Sequence, residues 1–309
     1  MPTHLRAKLA AAALLPLLAL QPAYGWGRDG HLMINRLAAL YLPQDVPAFL
    51  RNGEAIDTIE YLGPEPDRWK NRAEEELSST QSPDHFIDME WADYAGALPK
   101  RRYDFIRALA AAQPAHPDIP LTPEKVGMQP YQVEEVYERL KSTLRDYRRL
   151  VAANQDTRPA ETAILFYAGW LGHYVGDASQ PLHTTDKYNG WVGPNPNGYT
   201  TEHKIHWQFE GPFVAANINS HEVAEKMSAA KVIDGDMFDA YVAYLRHTAT
   251  YVEKVYQLEK AGGFVGKGSP ESREFTAERL GAGASMLRDM IYTAWIRSGD
   301  PVADPYAGK

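Results

Sequence analysis

Apolar residues recur at helical spacing along almost the whole chain, and that pattern limits the fold more than any other feature. It runs from His31 to Tyr41, Tyr103 to Ala112, Tyr131 to Ala153 and Glu161 to Gly176. It returns from Val223 to Ala230, Met237 to Leu258 and Glu271 to Ile296. Thr122-Pro123 and Ser269-Pro270 read as helix starts, with proline early in the first turn. Alternating, strand-like runs are scarce, and "HFIDM" at 85–89 is the best extended candidate. The interruptions are loops: "LGPEP" at 62–66, "QPAHPDIPLTP" at 113–123 and "NGWVGPNPNGY" at 189–199. No linker separates two hydrophobic patterns, so the expectation is all-α, one multi-helix domain.

The first 25 residues stand apart. Arg6 and Lys8 precede "LAAAALLPLLAL" from Leu9 to Leu20, and "AYG" follows at 23–25. A charged start, a short apolar stretch and small residues at −3 and −1 describe a signal peptide cleaved before Trp26. The apolar run is about 12 residues, whereas crossing a bilayer takes about 20. The expectation is therefore a secreted or periplasmic protein whose mature domain is 26–309. The formal charge of −8 becomes more negative once Arg6 and Lys8 are removed. Such a chain has no general attraction for nucleic-acid phosphates or anionic lipid, so a substrate of that kind must be held locally. There is no cysteine, which excludes disulfides and thiolate zinc sites and leaves His, Asp, Glu and backbone groups as metal ligands.

Ten histidines are present, and their spacing is informative. In "HYVGDASQPLH" at 173–183, His173 and Asp177 lie four apart on a predicted helix and project from one face. Pro181 stops that helix, and His183 follows where the chain is free to turn back. "HWQFE" repeats the spacing with His206 and Glu210. Imidazole and carboxylate on adjacent turns suit zinc, and a carboxylate between two sites can bridge them. Either pair alone reads first as a surface pair worth about a few tenths of a kcal/mol, and only their combination points to metal. His203 sits three residues before His206, out of register with Glu210, and reads as solvated or supporting. In "WGRDGH", cleavage would expose the α-amine of Trp26, whose low pKa makes its proton easy for a metal to displace. Amine and carbonyl of that residue would chelate, and His31 would complete the site; the alternative is a core tryptophan and a helix-start histidine. His85 in "PDHFID" and Asp67 in "PEPDRWK" are further candidates, although Asp67 also fits a helix N-cap.

Together these pieces resemble the zinc-dependent single-strand nucleases of the S-one and P-one type, which share a superfamily with bacterial zinc phospholipase C. The resemblance covers essentially all of 26–309. It rests on the signal peptide ending before Trp, "WGxxGH", "HF(I)" about sixty residues later, "HxxxDxxQPLH" and the later His-x-x-x-acid pair. It implies three Zn2+ in a cleft of an all-α domain. Asp67, His85, His173 and Asp177 would hold one ion. Trp26 and His31 would hold the second and share Asp177, and His183, His206 and Glu210 would hold the third. It further implies cleavage of single-stranded DNA and RNA to 5′-phosphate products, with 3′-nucleotidase activity and no obligate protein partner. Asp67 would orient or deprotonate the attacking water, and Lys70 would neutralise a phosphate oxygen. Two positions depart from the nuclease pattern. Glu210 stands where Asp is usual and where the phospholipases have Glu, which keeps a phospholipid-headgroup substrate as the alternative. Lys70 stands where the nucleases have Arg, giving a point charge without the bidentate fork. Tyr188, Trp191 and Tyr199, in the loop between the metal motifs, are candidates for stacking bases and equally for packing that loop.

Overall fold

The computed structural model describes residues 26–71 and 73–302. The expected signal peptide at 1–25 lies outside the described residues. The helices that position the site and its core include α1 (Gly27–Leu40), α2 (Gly53–Leu62), the short α3 (Glu65–Trp69), α4 (Gln129–Ala152), α5 (Arg158–Asp177), α6 (Met237–Ala249) and α7 (Pro270–Arg297). Among the described residues there is no strand; Ile87 makes only a single bridge to Gly127. The "HFIDM" segment is extended but takes its partners from loops, with Ile87 N–H donating to His183 O and Met89 N–H to Thr184 O. The fold is all-α, as the periodicity predicts.

α7 is buried along most of its length and packs against α1, α4 and α5. Its start follows the sequence reading: the Ser269 side chain accepts from Ser272 N–H, and proline occupies the first turn. α1, α2 and α5 are tied by one buried amide, since Asn35 Nδ2 donates to Ile59 O at 2.8 Å and Gly169 O at 2.9 Å. Gly172 makes that crossing possible, because a Cβ there would lie 2.1 Å from Asn35 Oδ1.

Three elements differ from expectation. α2 escapes the periodicity because it is short; Asn52 starts it by accepting from Ala55 N–H at 2.8 Å. The pattern over Met237 to Leu258 is two helices, Met237–Ala249 and Val252–Lys260. The helix expected over Val223 to Ala230 begins earlier and stops sooner, at Ser220–Glu225. Beyond it the backbone leaves the helix because α7 supplies other partners. Ser228, Lys231 and Ile233 N–H groups donate to Ser285 Oγ, Asp289 Oδ1 and Thr293 Oγ1, successive positions on one face of α7.

Candidate metal centre

The last turn of α5 places His173 and Asp177 on one face, Nε2 to Oδ2 3.3 Å, both fully buried. α1 enters beside it. The Trp26 indole is fully buried, donates from Nε1 to Ser179 Oγ at 2.6 Å and meets the Phe209 ring edge-on. Gly30 permits that seat, because a Cβ there would be 2.6 Å from Trp26 Cβ. With α1 so fixed, the His31 ring stacks on His173 at 4.0 Å, and its Nε2 lies 3.3 Å from Asp177 Oδ1. Asp67 is not an N-cap: it lies inside α3, with Oδ1 2.8 Å from Lys70 Nζ and 3.7 Å from His173 Nε2. The turn Ser82–His85 brings His85 Nδ1 to 3.1 Å from Asp177 Oδ2 and 2.9 Å from His173 Nε2.

The remaining candidates meet on the other side. α5 ends at Asp177, before Pro181, and a short turn Pro181–His183 delivers His183. His206 Nε2 lies 2.8 Å from Glu210 Oε2 and 3.1 Å from His183 Nε2. His203 is exposed and joins no cluster. Three buried groups result: His31, His173 and Asp177; Asp67, His85 and His173; His183, His206 and Glu210.

Backbone carbonyls set the imidazoles. His173 Nδ1 donates to Gly63 O at 2.8 Å, His183 Nδ1 to His85 O at 2.7 Å and His206 Nδ1 to Tyr188 O at 3.0 Å. A carbonyl only accepts, so each ring carries a proton on Nδ1 and turns Nε2 into a cluster, the orientation that supports a metal ligand. Against the cost of burial, Asp177 and Glu210 raise His183 to about 9, so a metal there would displace its second proton. Whether a metal fits is testable on the buried atoms. Both His31 nitrogens, Asp177 Oδ1 and Glu210 Oε1 have no hydrogen-bond partner. Ligand atoms 2.0–2.1 Å from a tetrahedral ion stand about 3.3 Å apart, close to the spacings above. The residues fit a cation bound by nitrogen and oxygen, as imidazole- and carboxylate-bound transition metals are.

Charge points the same way. Burial opposes the Asp177 carboxylate, but His173, His183 and His31 hold its pKa well below the ordinary range. Glu210 is lowered despite burial by His206 and His183, and Asp67 despite burial by Lys70 and His173. Burial and Lys70 push His85 down to about 3, and burial with His173 lowers His31. At neutral pH the protein therefore offers three carboxylates and at least two neutral imidazoles in a largely buried site.

A cleft opens over the clusters, lined by Lys70, His85, His183 and His206 and walled by Phe86, Trp91 and Tyr188. Tyr188 is 52% exposed, with its ring 6.0 Å from His206. Trp191 and Tyr199 do not line the cleft. They pack on each other at 4.8 Å and on Tyr256, while Tyr199 Oη donates to Glu253 Oε1 and Trp191 Nε1 to Pro194 O. Tyr199 and Tyr256 belong to the main hydrophobic core and Trp191 packs against it; Tyr256 Oη donates to Lys187 O and so braces the loop. Phe86 and Trp91, not singled out in the sequence, take the place at the cleft. Phe86 had a signal, its seat beside His85; Trp91 had none. Asp88 also lines the cleft, and burial with Glu90 and Asp186 pushes it up to about 8. At pH 7 it is mostly a neutral acid, able both to donate and to accept.

A model of the S1/P1 nuclease family matches residues 26–260. No curated protein matches the sequence. Among solved structures the chain is similar to the Clostridium perfringens alpha-toxin of avian strain SWCP, at 14% identity and TM-score 0.42, covering 93% of this chain and 67% of that one. It is similar also to the alpha toxin of Clostridium absonum, at 14% identity and TM-score 0.41, covering 90% and 67%.

Proposed function

Since the chain belongs to the S1/P1 nuclease family, we propose that it is a trinuclear zinc phosphodiesterase acting on single-stranded DNA and RNA. Its products carry 5′-phosphates, and it removes the 3′-phosphate of nucleotides. The observation that carries this reading is the convergence of three buried nitrogen and oxygen clusters around Asp177, under one cleft. Asp67, His85, His173 and Asp177 would hold one ion, His31 with Asp177 and the amine and carbonyl of Trp26 the second, and His183, His206 and Glu210 the third. When bound, zinc would supply Lewis acidity and make water at the site more acidic.

The residues do the rest. Asp177 presents Oδ1 to His31 and Oδ2 to His85 and His173, so one carboxylate keeps two clusters in register. Asp67 orients the attacking water and takes its proton. Lys70, kept charged by Asp67, Asp177 and Glu210 against the cost of burial, neutralises a non-bridging phosphate oxygen as charge builds in the transition state. Phe86, Trp91 and Tyr188 offer ring faces to unstacked bases, which favours single strands. The amine of Trp26 becomes a ligand only if the chain is exported and cleaved before it, so this reading includes a periplasmic or secreted protein.

The second reading is a phospholipase C, and Glu210 is the residue that favours it. Zinc-loaded protein beginning at Trp26, assayed on single-stranded DNA and on phosphatidylcholine vesicles, separates the two. Chelator-sensitive release of 5′-phosphate ends is the expected result. Diacylglycerol release with intact DNA would exchange the two readings.

A further inference from the structure

Gln129, the first residue of α4, is fully buried and belongs to no metal cluster. Its side-chain amide nitrogen nevertheless donates to two backbone carbonyls that border the centre, His85 O at 3.1 Å and Tyr174 O at 3.2 Å. The first carbonyl is unusual in its position. It is also the acceptor for His183 Nδ1, while the His85 ring belongs to a different cluster. One peptide group therefore adjoins both clusters, with the ring on one side and the carbonyl on the other. Its orientation fixes where His85 Nδ1 sits relative to Asp177, and where His183 Nε2 points toward His206 and Glu210.

His85 ends the Ser82–His85 turn, and residues 86–88 are extended. The backbone of that stretch is held on two sides, with Ile87 N–H donating to His183 O, Asp88 N–H to Val126 O and Gln129 N–H to Phe86 O. The His85 carbonyl, in contrast, accepts from two side chains, the His183 imidazole and the Gln129 amide. Rotation of the His85 peptide plane is opposed by the Gln129 amide, which is itself anchored because it opens a long helix. From this geometry we infer that Gln129 is a positioning residue. By holding the His85 carbonyl, it aligns ligands of two separate metal clusters at once.

A merely structural role makes a different forecast. Tyr174 O also accepts from Ala178 N–H and Tyr241 Oη, and His85 O keeps the His183 imidazole. Loss of the Gln129 amide thus leaves neither carbonyl unsatisfied. Gln129 Oε1 has no partner, so an apolar replacement also removes a buried lone acceptor. Stability of the metal-free fold should change little, whereas loss of a group that orients metal ligands costs about 10–100-fold in metal affinity.

The inference rests on the metal reading of the clusters but not on the substrate. The test is zinc titration against a competing chelator, with melting of the zinc-free protein recorded alongside. Parent, Gln129→Met and Gln129→Asn are compared, with Tyr241→Phe as the control that removes the second side-chain donor to Tyr174 O. Gln129→Met keeps the length and removes the donor; Gln129→Asn withdraws the same amide by one methylene and serves if the first variant does not fold. The expected result is at least about tenfold weaker zinc binding at two of three sites in both Gln129 variants. Tyr241→Phe should bind as the parent does. Unchanged zinc affinity at all sites in a folded Gln129 variant overturns the inference and leaves the metal reading standing. A parent that binds no zinc removes that reading itself.

Discussion

Asp177 is the residue on which the centre turns. Its two oxygens address different histidines, so Asp177→Asn should cost two metal equivalents. Elemental analysis checks this, and loss of a single ion would make Asp177 a terminal ligand of one site. Its effect on activity should exceed the roughly 100-fold upper range typical of supporting groups. Lys70→Ala should retain metal and lower kcat by about 10²–10³-fold, as removal of one transition-state charge partner does; Lys70→Arg should restore most of it. The side chains that the fold gathers into clusters were legible because coordination restricts residue type and spacing together. His173 with Asp177 and His206 with Glu210 reveal their geometry within a single turn each. The supporting carbonyls were not legible, since every residue has one and only the fold selects Gly63, His85 and Tyr188. The loop aromatics show the same limit: composition could not tell Tyr188, at the cleft, from Trp191 and Tyr199, which pack beneath it.

At the scale of the helix, two positions carry direct forecasts. Gly172→Ala on α5 brings a methyl group 2.1 Å from Asn35 Oδ1, an overpacking that should cost about 1–3 kcal/mol in urea denaturation. Glu134 on α4 lies half-buried with Oε2 unpartnered; burial, Glu138 and Asp236 raise it from 4.5 to about 7. The folded state thus holds that proton more tightly than the unfolded chain. Stability from this group is full below pH ~4.5 and is lost as pH rises through ~7. Glu134→Gln should raise the melting temperature at pH 8 and leave it unchanged at pH 4. Long amphipathic helices such as α4 and α7 could be read from periodicity alone. α2 and the segment after Glu225 could not, because a cap on one and the side chains of α7 beside the other decide their conformation.

For the molecule as a whole, zinc should stabilise through linkage. Free zinc at 100 times its dissociation constant adds about 2.7 kcal/mol per site, so the melting temperature should climb with zinc and fall on chelation. A chain starting at Gly25 should lose the Trp26 amine site and much of its activity; equal activity would remove Trp26 from the ligand set. The clusters also join distant parts of the chain: His85 to Asp177 is a separation of 92 residues, and His173 to Gly63 one of 110. A metal seated there closes long loops, and closure of long loops is where a cross-link removes the most entropy from an unfolded chain. In a sequence without cysteine, a metal held there would act as the cross-link that disulfides supply elsewhere, and its removal should leave a folded chain that opens more readily.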